Sequence, residues 1–207
     1  MDETARAELE NDVRALCGRG DYAGAATRAL KGYGPEIFGF LVTMTPSEAD
    51  ASDVFAETSE ALWRSLPAFA WECSLRTWAY AIARNIMRMR SRNAARKRRR
   101  GIAVGDSALQ EVAEVVRTET LAFLRTEKRT RLQALRDALP EEDRILLVLR
   151  VDRKLAWNDL ARVLAETESD APLAEAAVAR GAARLRKQFQ LVKDRLRDLA
   201  KKDGLID

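Results

Sequence analysis

The stretch Ser74-Leu75-Arg76-Thr77-Trp78-Ala79-Tyr80-Ala81-Ile82-Ala83-Arg84-Asn85 decides the fold class. Leu75, Trp78, Ala79 and Ile82, continued by Ile86, recur at the spacing of one helical face, and Ser74 stands where a hydroxyl caps the first turn. The remaining face becomes increasingly arginine. Upstream, Asp50-Ala51-Ser52-Asp53-Val54-Phe55-Ala56-Glu57-Thr58 shows the same period through Ala51, Val54 and Phe55, continued by Ala61, Leu62 and Leu66. Ser47, followed by Asp50, predicts the start of that helix, and Pro67 its stop. Two Ala-rich helices are expected earlier, over about Thr4 to Leu16 and Asp21 to Leu30, and Tyr33, Ile37, Phe40, Leu41 and Met44 then form an apolar stripe. Nearly every periodic segment is helical, so the chain is predicted all-α.

Downstream of Arg100 the pattern weakens through Gly101 and Gly105, and Asp106 to Thr126 reads as a linker with some helical tendency. A second domain starts near Lys128 with Leu132, Leu135 and Leu139. Pro140-Glu141-Glu142-Asp143 then suits a helix first turn, where proline loses no hydrogen bond and carboxylates meet the positive dipole end. Ile145 to Val151 is its apolar body. Ala156 to Leu164, with Trp157, Leu160 and Leu164 as core face, is followed by the polar loop Glu166 to Pro172. A long helix comes last, carrying Leu185, Phe189, Val192, Leu196 and Leu199. Short helix, turn and longer helix is the order of a helix-turn-helix. The expected division is an N-terminal extension over 1–20, a first helical domain over 21–98, a linker over 99–127 and a helix-turn-helix domain over 128–207.

Charge is segregated along the chain. From Glu36 to Leu62 there are six carboxylates and no Lys or Arg; from Arg84 to Arg100 there are nine cations and no acid. Solvated surfaces mix their signs, so this polarity predicts one face for a basic protein and another for a polyanion. With no histidine, a His-based triad or a zinc finger is excluded, and no acid and thiol cluster has metal-ligand spacing. No cofactor or metal is expected. Cys17 and Cys73 are isolated thiols suited to a reducing compartment. The acidic Met1 to Glu10 is no signal peptide, and no apolar run is long enough to span a membrane, so a cytoplasmic protein without membrane insertion is expected.

Three blocks in order, Asp50 to Thr58, then Leu62-Trp63-Arg64-Ser65-Leu66 with Phe69, then Ser74 to Asn85, resemble conserved region 2 of the extracytoplasmic-function sigma factors of the sigma-70 family. Leu132 to Leu155 resembles region 4 of that family. Ala156 to Lys187 is similar to its helix-turn-helix, of winged-helix-like or homeodomain-like form. The resemblance implies a non-enzymatic factor that binds core RNA polymerase, directs it to promoter DNA and stabilises the melted minus-ten element. The implied partners are the clamp helices of the polymerase largest subunit, the flap of the second largest, promoter DNA and, as a further candidate, an anti-sigma factor.

The same resemblance implies residue roles. Asp50, Asp53 and Glu57, which share a helix face, would dock on the clamp helices. Ser65, Phe69 and the loop through Trp71 would line a pocket for a flipped base, with Tyr80 and Asn85 offering hydrogen-bonding groups. Arg76, Arg84, Arg88 and Arg92 would hold phosphates. Trp78 is open between core packing, the ordinary role of an aromatic at helical spacing, and stacking; Trp71 is open between base platform and loop anchor. The cluster Arg96 to Arg100 supplies affinity without sequence preference. In the last helix, Leu173 to Ala179 offers bases one carboxylate and methyl groups, so minus-thirty-five contacts fall to Arg180, Arg184 and Lys187. Two other readings stay open: a helix-turn-helix regulator acting as a dimer, and a sigma-like polymerase antagonist.

Overall fold

The computed structural model describes residues 1–94, 111–118, 131–165 and 173–205; among them the secondary structure is helical with no strand. The all-α class predicted from periodicity is therefore the observed one. The chain divides into two compact units, Met1–Arg125 and Thr126–Asp207. The Arg96 to Arg100 cluster and the loop 166–172 lie outside the described residues.

The first unit contains α1 (Glu3–Gly18), α2 (Tyr22–Met44), α3 (Glu48–Ser65), α4 (Leu75–Ala94) and α5 (residues 111–118). Asp2 and Asp21 cap α1 and α2, each accepting a backbone N–H three residues on. The stretch expected as a short helix plus a separate stripe is one helix, α2, running through Pro35. Its packing outweighs the proline because Leu30, Tyr33, Ile37, Phe38, Phe40 and Leu41 are all buried. Ser47 caps α3 as predicted, its Oγ accepting the Asp50 N–H at 3.1 Å, and Pro67 lies in a single 3-10 turn, Leu66–Ala68.

The N-terminal helical extension is packed rather than free, with Leu9 and Val13 of α1 buried at 1% and 0% exposure. Within the stretch expected as a linker with some helical tendency, residues 111–118 are the helix α5. α5 buries Ala113 and Val116, and a Cβ added at Gly34 of α2 would stand 2.9 Å from Val116 Cγ1 and 3.4 Å from Phe55. The absence of a side chain at Gly34 makes the room that Val116 occupies.

The second unit contains α6 (Arg131–Asp137), α7 (Glu141–Leu147), α8 (Trp157–Val163) and α9 (Glu175–Lys202). α7 carries the three expected acids in its first turn and widens into a π-helical turn over Val148–Asp152, closed by the Arg153 N–H on the Val148 carbonyl at 3.0 Å. Asp143 is buried at 3% exposure and accepts from Gln188 at 3.0 Å and from Arg195, which fixes α7 to α9. The predicted core positions Leu160, Leu185 and Val192 are buried, whereas Trp157 and Phe189 are half-buried, edge to face at 5.6 Å. At Gly181 a Cβ would lie 3.1 Å from the Cβ of Ala161, so α8 and α9 meet at a small-residue crossing.

Candidate nucleic-acid interface

α4 is turned relative to its predicted orientation. The buried side is Leu75, Arg76, Ala79, Tyr80, Ala83 and Met87, while Trp78, Ile82 and Ile86 are only half-buried. The reason lies on α2. Glu36 forms a two-point ion pair with Arg76 (Nε to Oε1 2.5 Å, Nη2 to Oε2 3.1 Å), and the Tyr80 ring meets Phe40 edge to face at 5.6 Å. The Arg76 guanidinium also lies over the Tyr80 ring. Burial disfavours the Arg76 charge, but the hydrogen bond and charge of Glu36 outweigh it and hold the arginine's pKa up. Arg76 and Tyr80 are therefore turned into the interior of the first unit rather than laid out on its surface. Arg84, 9% exposed, is likewise interior and engaged.

The turn leaves an outward side that steps by four and three along α4: Trp78, Ile82, Asn85, Met89 and Arg92, with Met89 60% exposed. Asn85 Oδ1 and Arg88 Nε are shielded from solvent and lack a hydrogen-bond partner, groups that a ligand or a small side-chain movement would have to satisfy. Above this side runs the loop between α3 and α4. Phe69 stacks on Trp78 (4.3 Å, 15° between planes) and touches Trp71 at 4.7 Å. Trp71 holds φ at +59°, the left-handed region that costs a bulky residue energy, about 1–3 kcal/mol. The structure thus brings Phe69, Trp71 and Trp78 together as a row of half-buried rings; Trp78 is a stacking partner more than a core residue. Ser65 is exposed at the end of α3.

Three residues of this region have no signal in the sequence reading. Glu10 of α1 accepts the Leu75 N–H at 2.8 Å, the Arg76 N–H at 3.1 Å and the Tyr33 hydroxyl at 2.8 Å. It thus caps α4 together with the expected Ser74, whose Oγ takes the Thr77 N–H at 3.1 Å. Burial first, then the Glu10 carboxylate, pushes the Tyr33 phenol far above its ordinary pKa and keeps it a donor. Arg14, a turn further along α1, places its guanidinium 5.2 Å from the Trp71 ring centroid. Arg90 of α4 reaches Glu57 at 2.6 Å and Asp53 at 2.9 Å. These partners are far apart in sequence, so no local spacing could have announced them.

On α3, Asp50, Asp53 and Glu57 do share a side; Asp50 is exposed and also accepts from its capping partner Ser47 Oγ at 2.6 Å. In the second unit Arg180, Arg184 and Lys187 are exposed in one line on α9. Leu173 and Ala174 precede that helix, and Glu175 at its start pairs with Arg162 of α8 at 2.7 Å. Among the described residues no three His, Cys, Asp or Glu side chains are placed to hold a metal ion, and no helix is long and apolar enough to cross a membrane.

Compared with known families, residues 30–98, about a third of the chain, match the family model for Sigma-70 region 2. Among curated proteins none matches the chain. The matched stretch holds the acidic side of α3, the aromatic loop and the outward side of α4, so within the first unit it is residues 30–98 that are similar to Sigma-70 region 2.

Proposed function

We propose that this protein is an RNA polymerase sigma factor of the small extracytoplasmic-function kind, acting in the cytoplasm as a binding and strand-opening factor rather than an enzyme. The observation that carries it is the co-occurrence, inside the stretch matching Sigma-70 region 2, of an acidic helix side and a separate aromatic and cationic surface. Asp50, Asp53 and Glu57 dock on the basic clamp helices of the polymerase largest subunit. Phe69, Trp71, Trp78 and Asn85 receive unpaired bases of the minus-ten element, and Arg88 and Arg92 hold its backbone. Extruding a base costs a few kcal/mol and an aromatic stack returns roughly 1–3 kcal/mol. One row of three rings cannot melt several base pairs alone, which makes polymerase an obligatory partner.

The second unit acts as region 4, its α8 and α9 forming the helix-turn-helix that contacts the flap of the second largest subunit and minus-thirty-five DNA. With Glu175 engaged by Arg162, the start of α9 presents Ala176 and Ala179, so Arg180, Arg184 and Lys187 carry the contact through phosphates. That poverty of base-reading groups is what favours the second reading, a polymerase-binding antagonist.

Run-off transcription with core bacterial polymerase on a genomic-fragment library, with and without the protein, separates these. Discrete new starts sharing an upstream motif are expected. Binding to core without new starts indicates the antagonist, and neither result indicates a DNA-binding regulator.

A further inference from the structure

Glu10 and Arg14 are one turn apart on α1 and so share a side of it. Glu10 fastens that side to the start of α4 through the backbone N–H groups of Leu75 and Arg76. The next turn of α1 is thereby held beside the α3–α4 loop, with Arg14 over Trp71. Arg14 is exposed, and among the described residues its contact is with that ring rather than with a carboxylate. Trp71 is kept in a left-handed backbone conformation that a tryptophan rarely adopts, and its ring continues the row through Phe69 to Trp78. A fixed row of rings ending in a cation that forms no ion pair among the described residues has the two parts of a single-strand site, π faces for bases and positive charge for backbone.

We propose that Arg14, which lies outside the stretch matching region 2, is a DNA-binding residue that holds the phosphate of the nucleotide whose base stacks on Trp71. α1 and the α3–α4 loop together then form a one-nucleotide site. The inference rests on the assignment of that loop to the melted minus-ten strand. Arg14 is suited to phosphate because its planar fork can donate two parallel hydrogen bonds to phosphate oxygens, stronger than an exposed cation–π contact. The guanidinium therefore exchanges ring for phosphate when DNA arrives, uncovering the Trp71 face it occupied. Glu10, pinned to α4, sets the distance over which Arg14 has to move.

The test uses holoenzyme assembled from core polymerase and the full chain, with a promoter fragment from a mapped start site unpaired in advance over its minus-ten region. Arg14→Ala is expected to weaken binding about fivefold to tenfold and to lower the slope of log affinity against log salt by about 0.7, the increment for one single-strand phosphate. Arg14→Lys restores the slope, whereas Trp71→Ala weakens binding and leaves the slope unchanged. Core assembly and the melting temperature of the free protein stay at wild-type values in all three. An Arg14→Ala protein that binds like wild type while Trp71→Ala is weakened overturns the role of Arg14 and leaves the loop assignment standing. Weaker binding with an unchanged slope and a lowered melting temperature also overturns it, making Arg14 a pin for the loop. If Trp71→Ala also binds normally with core assembly intact, the loop assignment falls, and the inference with it.

Discussion

Arg90 holds Glu57 and Asp53 with one guanidinium, and all three groups are at least partly exposed. An exposed pair of this kind contributes about 0–1 kcal/mol to stability, because solvent screens it and the long side chains lose freedom. Its larger effect is on the surface offered to a partner, since one positive charge sits among the acids proposed to meet the clamp helices. Asp53→Asn with Glu57→Gln should lower affinity for core polymerase about tenfold or more in an anisotropy titration, with the helical circular dichroism unchanged. Arg90→Ala should raise it a few-fold; a fall instead would mean that Arg90 organises the acids for docking. Charge reversal of the acids would be a poorer test, because it would set two arginines against Arg90. Tyr80 and Asn85, paired by the sequence reading, should separate. Tyr80→Ala empties a fully buried site and should cost about 3–5 kcal/mol in chemical denaturation. Asn85→Ala should leave stability near wild type and weaken promoter opening more than holoenzyme assembly.

Helices α1 and α4 illustrate how elements acquire roles that their own sequences do not state. α4 is capped twice, locally by Ser74 and from sixty-five residues away by Glu10. Glu10→Ala should leave the Leu75 and Arg76 N–H groups and the Tyr33 hydroxyl without their acceptor, at about 2–3 kcal/mol. Ser74 retains the Thr77 N–H, so the helix should persist while the thermal midpoint falls. The unfolding curve followed at 222 nm measures this, and an unchanged midpoint would mean that water replaces the carboxylate freely. The orientation of α4 has a related cause. Apolar spacing alone favours the side through Trp78, Ile82 and Ile86, because Arg76 counts as polar. With Glu36 opposite, a guanidinium can be buried, and Tyr80 follows it inward against Phe40. α5 lies in a stretch whose sequence reads as a linker, yet Val116 finds the space left by Gly34.

Across the whole molecule the two units divide the proposed labour, with strand opening in Met1–Arg125 and duplex contact in Thr126–Asp207. If the line Arg180, Arg184 and Lys187 grips phosphates, replacing all three with alanine should weaken holoenzyme binding to duplex promoter DNA by a similar factor for every sequence. The salt slope should drop by about 2 to 3, as 0.9 per phosphate implies. A loss confined to particular minus-thirty-five sequences would show instead that these residues read bases. The all-α class, the cap at Ser47, the stop at Pro67, the acidic first turn of α7 and the α9 core positions Leu185 and Val192 were legible in the chain, and so was the acidic side of α3. Each depends on neighbours within a turn or two, or on a period, and such interactions are written in spacing.

What only the tertiary structure decided are the pairings between distant charges and rings: Glu10 with the start of α4, Glu36 with Arg76, Arg90 with the acids of α3, and Arg14 with Trp71. A period tells which residues share a side of a helix, but not which charge stands opposite. Burying an arginine or freeing a tryptophan depends on that opposite group, so sequence determined the elements and tertiary packing chose the surface they present.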